Sequence, residues 1–437
     1  MKERKFIRAL VTLSKTDFFT YEGQIKGLQA ELLQAYEKAL NAGVSRRKLR
    51  TRIAFIPVPF EELIPALEDG RGDIAAALLT ITPEREKRVR FVSGMRMRVD
   101  EILVVNRNVT DIESIDDLAG RSLYVLRGSS YAEHLAALNK AFASRGLPPM
   151  QVVEGDAHLL SEDILELVNA GVLNMTIVDD FKAALWVRVF ANIVVRDDIK
   201  INEGGYIGWA VRANNPELEA SLNEFLPQVR RGSQLGNILA KRYFGSTRWI
   251  RNPLDDFERK RLEQFMPLFQ KYGDRYDFDW LAVVAQAYQE SGLDHTVQSH
   301  AGAVGIMQLL PSTGEYVGIP DVTQLEANIH AGVKYLSFLR NRYFSDPQLS
   351  EIDRFAFSWA AYNAGPHKVG RMRALAAEME LDSNKWFQNT EYAALRIVGR
   401  ETVRYVANIY KYYLAYSLSR DLLTKRAEQL RAMEADE

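Results

Sequence analysis

The chain contains no cysteine. Disulfides, thiolate metal sites, a cysteine nucleophile and a lipid-modified N-terminal cysteine are therefore excluded within this sequence, and the fold is indifferent to redox compartment. Long apolar runs are also missing, so no stretch reaches the length of a transmembrane helix. The basic start Met1-Lys2-Glu3-Arg4-Lys5 is not followed by an uninterrupted apolar segment with a cleavage site, as an export signal would be. Charge of one sign is absent too: a formal net charge of -1 gives no global pull toward nucleic acid or an anionic membrane. Nucleic acid is not an expected partner. Internal repeats and low-complexity tracts are lacking.

What is present is ordinary globular composition, 47% hydrophobic and 26% charged, spread over 437 residues. That is too long for one ordinary core, so two or three domains are expected. The character of the chain changes near residue 250. Before it, short β-branched runs alternate with helical stretches: Phe6 to Leu13, Arg52 to Ile56, Ile74 to Leu78, Glu101 to Val105, Ser122 to Leu126, Met175 to Val178, Ile193 to Val195 and Tyr206 to Val211. Such alternation predicts an α/β domain. After Asn252-Pro253 strand-like runs almost vanish, and helices are predicted at Leu254 to Tyr272, Trp280 to Ser291, Ser312 to Val317, Leu325 to Arg342, Glu351 to Asn363 and Glu391 to Leu418. The C-terminal part reads as all-α, ending in a charged tail.

Within that helical part, Glu290 stands out. The run from Asp279 to Gly292 has a plausible N-cap in Asp279 and a stop in Gly292. One face carries Trp280, Val283, Ala287 and then Glu290. A carboxyl that continues an apolar stripe loses hydration in its charged form, so its pKa should rise toward the range where it donates a proton near neutrality. A Glu in a last turn can also simply point into solvent, and the helix alone does not separate the two. Downstream lie Ser299-His300-Ala301-Gly302-Ala303-Val304-Gly305-Ile306-Met307-Gln308, whose glycines let backbone approach a ligand, then Ala361-Tyr362-Asn363-Ala364-Gly365 and Glu401-Thr402-Val403-Arg404-Tyr405-Val406.

The Glu-Ser pair, the Gly-x-Met-Gln turn, the Tyr-Asn-Ala-Gly block and the Glu-Thr-x-x-Tyr-Val block, in this order, resemble the lysozyme-like domain of soluble lytic transglycosylases, over roughly the last 170 residues. The resemblance implies Glu290 as the catalytic acid/base, with Ser299, Gln308, Tyr362, Asn363, Glu401 and Tyr405 around the substrate sugar. Bland readings stand beside these. Tyr362 continues a helical stripe with Phe355, Ser358 and Trp359 and could be core. Asn363-Ala364-Gly365-Pro366 could be a helix C-cap followed by a breaker. Tyr405, Tyr410, Tyr412, Tyr413 and Tyr416 could be packing or groove wall, and Met307 packing under a cleft. His295 and His300 with Asp294 are irregularly spaced in a loop, so no metal is expected.

The first 245 residues resemble extracellular solute-binding proteins that bind amino acids. The resemblance is carried by Gly70-Arg71-Gly72-Asp73 and the strand that follows, by Thr80-Ile81-Thr82-Pro83-Glu84-Arg85, by the turn Arg127-Gly128-Ser129-Ser130 and by Asp179-Asp180. It implies two lobes closing on a ligand, with crossings near Val105 and Val195. It further implies Thr80 and Arg85 on a ligand carboxylate, Ser129 and Ser130 in a backbone nest opening the second lobe, and Asp180 on an amino group. Three features depart from that pattern. Leu78 stands where amino-acid binders carry Gly, Arg46-Arg47-Lys48 is basic, and no Lys starts the Gly128 turn.

The two resemblances in tandem are similar to the membrane-associated lytic transglycosylases of the F type. The expected fold is multidomain: a two-lobed, periplasmic-binding-protein-like α/β module over 1–245 (lobe 1 about 6–105 and 196–245, lobe 2 about 106–195), a linker at 246–256, a mainly helical lysozyme-like catalytic domain over 257–424, and a tail at 425–437. The implied activity is cleavage of the β-1,4 bond between N-acetylmuramic acid and N-acetylglucosamine in peptidoglycan, leaving 1,6-anhydro ends. No cofactor is expected. The N-terminal module is expected to bind a muropeptide or cell-wall peptide and modulate turnover. The mature chain is expected to be a periplasmic monomer without its export signal, associated peripherally with the outer membrane. Two alternatives carry the same fold: a muramidase that uses water, and a solute sensor with an inactive lysozyme-like domain.

Overall fold

The computed structural model describes residues 5–21, 24–45, 49–229, 232–245 and 256–420. The basic segment Arg46-Arg47-Lys48, all but the last residue of the 246–256 linker and the charged tail at 425–437 lie outside the described residues. The chain divides into two compact units, Met1–Arg251 and Asn252–Glu437.

The first unit is built on a mixed sheet whose strands lie in the order Met175–Asp179, Met97–Asn106, Ile193–Arg212, Ile74–Thr80, Phe6–Val11, Arg52–Pro57. Phe6–Val11 runs parallel to both of its neighbours. Ile74–Thr80, sequence IAAALLT, is buried at every position because helices cover both faces, and a strand covered on both sides reads as a continuous apolar run. Its alternate residues still divide by face. Ile74, Ala76 and Leu78 join Leu32, Leu33 and Trp209, while Ala75, Ala77 and Leu79 join Leu63, Ala66 and Leu67. A third cluster, with Ile102, Val104, Leu165, Val178 and Trp186, forms the core of the second lobe.

The lobes are joined through long strands rather than loops. Met97–Asn106 pairs with Ile193–Arg212 from Ile207↔Met97 through Ile193↔Asn106, with register shifts between Arg196 and Gly205. Sequence reading had separate strands at Ile193 to Val195 and Tyr206 to Val211. The polar stretch between them, with Asp197, Asp198, Gly204 and Gly205, is absorbed as bulges, which tolerate unpaired residues without ending a strand. Leu78, at the position where amino-acid binders carry Gly, has φ +51 inside its strand. Left-handed backbone costs a non-Gly residue roughly 1–2 kcal/mol, and here the buried isobutyl group offsets that strain.

The second unit is helical: Asp256–Arg275, Trp280–Ser291, Pro311–Tyr316, Leu325–Tyr343, Glu351–Ala364, Pro366–Glu378, Glu391–Ile397 and Arg400–Leu418. Trp280–Ser291 is its central element. Every residue from Leu281 to Tyr288 is buried, so this helix has no solvent face, and the single apolar stripe expected from sequence understates its burial. Asp279 caps it, accepting the Leu281 N–H at 3.0 Å, and Gly292 ends it at φ +66. Two boundaries differ from expectation. Pro366 does not stop the chain but occupies the first turn of a helix running to Glu378, where its missing N–H costs nothing. The expected helix from Glu391 to Leu418 is broken at Val398-Gly399, with Gly399 at φ +77.

Candidate active site and ligand cleft

Glu290 sits in the last turn of the central helix and is partly buried. The Tyr405 hydroxyl, from Arg400–Leu418, donates to its Oε1 at 2.5 Å. Burial pushes the Glu290 carboxyl up from 4.5 to about 7, opposed by the Tyr405 and Gln286 side chains. Among the described residues no second carboxylate contributes to that shift. Glu290 is thus an acid that holds its proton close to neutrality. Tyr362 and Tyr405 are each raised well above the usual phenol range, first by burial and next by the charge of Glu290, so both hydroxyls keep their protons near neutrality.

A compact loop from Val297 to Leu309 lies beside this cluster. Ser291 ties the loop to the central helix by donating to the Ile306 carbonyl at 2.8 Å. Asn328, fully buried on Leu325–Tyr343, pins it from below: Oδ1 accepts the Met307 N–H at 2.9 Å, and Nδ2 donates to the carbonyls of Val304 and Val322. Gly305 is obligatory here. Its φ is +80, and a Cβ would lie 2.5 Å from the Asn328 amide nitrogen. Tyr362 donates to the Met307 carbonyl at 2.7 Å, which joins the Tyr-Asn-Ala-Gly block to the Gly-x-Met-Gln turn. Gln308, at φ +46, donates through Nε2 to the carbonyls of Val297 and Gly305. Ser299 accepts the Ala303 N–H at 3.0 Å. His295 accepts the Ile306 N–H at Nδ1, so its other nitrogen carries the hydrogen donated to the Thr323 carbonyl; it is a strut of this loop.

The remaining residues singled out from sequence lie differently. Asn363 is exposed, with Oδ1 accepting from Thr402 at 2.7 Å, which fastens two helices. Glu401 is exposed in the first turn of Arg400–Leu418, where unbonded N–H groups favour a carboxylate. Sequence reading missed Gln286 and Asn328, and it had Ser291 only as half of the Glu-Ser pair, without a partner. A polar residue inside Val283-Val284-Ala285-Gln286-Ala287 was the available signal for the first; nothing local distinguishes Asn328 from a surface helix residue.

In the first unit, Thr80, Arg85, Ser129 and Ser130 are all buried where the lobes meet. Arg85, only 5% exposed, spends its donors on the protein itself: Nη1 on the Thr80 carbonyl and Nη2 on the Gly128 carbonyl, both at 2.9 Å, with Nε 3.3 Å from Glu133. The expected nest is likewise occupied. Gly128 N–H goes to Glu154, Ser129 N–H and Oγ go to the Leu126 carbonyl, and Ser130 Oγ donates to the fully buried Glu101. Glu101 also holds His134 at 2.6 Å, and that bond raises the imidazole. Asp180 does not join this group. It accepts the Phe181 N–H and lines a separate apolar cavity with Leu28, Met97 and Phe244, whereas the buried carboxylate at the end of that strand is Asp179, paired with Lys182 at 3.0 Å. A second bridge between the lobes runs from Lys15: its N–H reaches Glu162 at 2.8 Å and its ammonium reaches Glu166 at 2.7 Å and Asp163 at 3.3 Å.

Residues 11–246 match bacterial extracellular solute-binding proteins, family 3, and residues 267–387 match the transglycosylase SLT domain. A Desulfosudis oleivorans protein named membrane-bound lytic murein transglycosylase F is 28% identical over 93% of this chain and 89% of its own length. A Pseudomonas fluorescens protein of the same name is 27% identical over 94% of this chain and 85% of its own. Among solved structures, an ancestral arginine-binding protein bound to arginine is 24% identical with a TM-score of 0.45, covering 55% of this chain and 99% of that one.

Proposed function

The chain belongs to the bacterial extracellular solute-binding proteins, family 3, and since it carries a transglycosylase SLT domain behind that module, we propose that it is a peptidoglycan lytic transglycosylase with Glu290 as its acid/base. The observation that carries this reading is the isolation of Glu290: a carboxyl held near pH 7 by burial, bonded to Tyr405, with no carboxylate partner shifting it. Retaining glycosidases place a second carboxylate about 5 Å away as nucleophile. A neighbour that close would repel the Glu290 charge, and none does so among the described residues. A single acid suits chemistry in which the sugar's own acetamido group stabilises the oxocarbenium-like centre.

In this mechanism Glu290 donates its proton to the glycosidic oxygen as the bond from C1 of N-acetylmuramic acid breaks. The resulting carboxylate then takes the proton of the muramyl C6 hydroxyl as that oxygen bonds to C1. The proton returns to its starting atom and no water is consumed, so the product is a 1,6-anhydro end. Tyr405 holds the carboxyl in orientation. Tyr362, Gln308 and Ser299 line the sugar site through the loop they brace.

The test is digestion of purified peptidoglycan with the parent chain and with Glu290→Gln, read by mass spectrometry. Anhydro ends from the parent and none from the variant are expected. Reducing ends from the parent would make it a muramidase, and no release would make it a sensor.

The solute-binding module is proposed to bind a cell-wall peptide or muropeptide and to alter turnover. Such a ligand must offer more than a carboxylate, because Arg85 would first have to leave the Gly128 carbonyl and Glu133. Unchanged turnover across concentrations that bracket binding would remove this part. Periplasmic placement with peripheral outer-membrane attachment is proposed because the substrate lies outside the cytoplasmic membrane, and the relatives are named membrane-bound. Among the described residues no helix is long and apolar enough to cross a membrane. Fractionation of cells expressing the chain from its native gene tests that placement.

A further inference from the structure

Gln286 is an anomaly in the central helix. Its side chain is 0% exposed, and neither Oε1 nor Nε2 completes a hydrogen bond among the described residues. Burying an amide without partners costs on the order of 1–3 kcal/mol in a protein interior. A leucine at this point would pack without that cost, as Leu281, Val283 and Val284 do in the same helix. The position is not arbitrary. Gln286 lies four residues before Glu290, so the two side chains share a face of the helix. The amide is also close enough to influence both the Glu290 carboxyl and the Tyr405 hydroxyl, lowering each.

We infer that Gln286 is a positioning residue for the acid/base, an amide that bonds Glu290 once it has become a carboxylate. An amide is the side-chain type suited to this. When Glu290 has given its proton to the sugar and become a carboxylate, the Gln286 N–H can donate to it, and the amide carries no charge of its own that would compete for that proton. Tyr405 already supplies one donor at Oε1, which leaves the other carboxyl oxygen for the proton and for Gln286. A buried amide that is unsatisfied in the resting site and bonded in the ionised intermediate strengthens its interaction as charge develops, the condition under which an interaction accelerates a step instead of merely tightening binding. Gln286 touches no reacting atom in this arrangement; it acts through Glu290.

The inference rests on Glu290 being the acid/base, so the experiment carries both questions. Gln286→Met, an apolar substitution of similar length, and Gln286→Glu, an isosteric one, are compared with the parent and with Glu290→Gln. Anhydro-product formation is measured from pH 5 to 9, together with thermal unfolding. For Gln286→Met, kcat should fall about tenfold to a hundredfold with KM unchanged. The alkaline limb of the profile should move upward by about one unit, since a donor that favours the carboxylate has been removed. Its melting temperature should hold or rise. Gln286→Glu should move the limb in the same direction and further, because a second carboxylate repels the first. That variant keeps the question answerable if Gln286→Met does not fold. A changed melting temperature with the parent's pH profile and kcat in both variants would show Gln286 to be packing alone and overturn the inference. Activity retained by Glu290→Gln would instead overturn the acid/base assignment on which it stands.

Discussion

The Tyr405 hydroxyl donates to Glu290 Oε1 at 2.5 Å, joining two helices whose bonded residues are 115 positions apart in the chain. The bond opposes burial: burial raises the carboxyl to about 7, and Tyr405 is the first of the groups that pull it back. Tyr405→Phe keeps the ring and removes the donor. Glu290 should then titrate higher, so the alkaline limb of turnover should shift up by about one unit. The rate should drop about tenfold as the carboxylate loses a charge-assisted bond. An unchanged pH profile in the Phe variant would place Tyr405 among the packing residues.

The same shift has a consequence for stability. Between about 4.5 and about 7 the folded protein holds a proton on Glu290 that the unfolded chain releases. Folding is therefore favoured by protons there, and the parent loses stability as pH rises through that window. Glu290→Gln has no such dependence. Below pH 4.5 the two should unfold alike; above 7 the Gln variant should be the more stable, on the order of 1–3 kcal/mol. Urea denaturation at pH 4 and pH 8 reads this directly. Equal midpoints at pH 8 would mean that Glu290 is well hydrated and ordinary.

Much of this candidate site was legible because the residues proposed to do chemistry break local rules. A Glu at the end of an apolar helix, a turn carrying Gly302 and Gly305 and a tyrosine following Phe355 and Trp359 on one helix stripe all conflict with their neighbours, and such conflicts point to function. The limits of the central helix were readable because Asp279 and Gly292 are local signals. What stayed hidden depends on partners distant in sequence. Asn328 looks like any helix residue until the Met307 and Val304 backbone groups arrive beside it. Arg85 reads as a ligand-binding guanidinium, and nothing near it in sequence announces that the Gly128 carbonyl and Glu133 of the other lobe meet its donors. Asp179 and Asp180 are indistinguishable as letters, and only the strand-to-helix geometry buries the first and turns the second toward another cavity. Pro366 was ambiguous in principle, since a proline marks both where a helix cannot continue and where one starts well.

The loop under the site allows strain to be separated from contact. Gly302 and Gly305 both have positive φ, +84 and +80, but a Cβ on Gly302 meets open space while one on Gly305 overlaps the Asn328 amide. Gly302→Ala should cost only the left-handed penalty, about 1–2 kcal/mol, with activity close to the parent's. Gly305→Ala should cost clearly more and lower turnover at least tenfold, because displacing Asn328 releases the Met307 backbone that Tyr362 grips. Thermal unfolding alongside peptidoglycan turnover tests the pair. Equal behaviour of the two variants would sink the claim that Asn328 sets the loop.

Free amino acids should not stabilise the solute-binding unit. The guanidinium that would take a ligand's carboxylate already has its Nη1, Nη2 and Nε directed at Thr80, Gly128 and Glu133, and the Gly128 N–H is held by Glu154. A single amino acid would have to replace these bonds with no net gain in number. Scanning fluorimetry with common L-amino acids at millimolar concentration should leave the melting temperature within about 1 °C of the free protein, whereas a ligand bound at a hundred times its Kd would add about 2.7 kcal/mol. A clear upward shift with any one of them would show that the Arg85 contacts open readily.

The Lys15 bridge should be a main determinant of that unit's stability. Burial alone would lower its ammonium, but Glu166, Asp163 and Glu162 outweigh burial and raise it. Removing the cation leaves three carboxylates, Glu166 among them only 4% exposed at its side chain, facing one another without it. Breaking a buried pair in this one-sided way costs about 3 kcal/mol or more. Lys15→Met should lower stability by that order in urea denaturation at neutral pH. Because the folded ammonium is raised above its unfolded value of 10.5, its contribution is complete below pH 10.5 and is lost only as pH climbs through the higher folded value. The gap between parent and variant should therefore stay constant from pH 7 to 10 and narrow above it. A gap that is already closing at pH 8 would contradict the pairing of Lys15 with the second lobe.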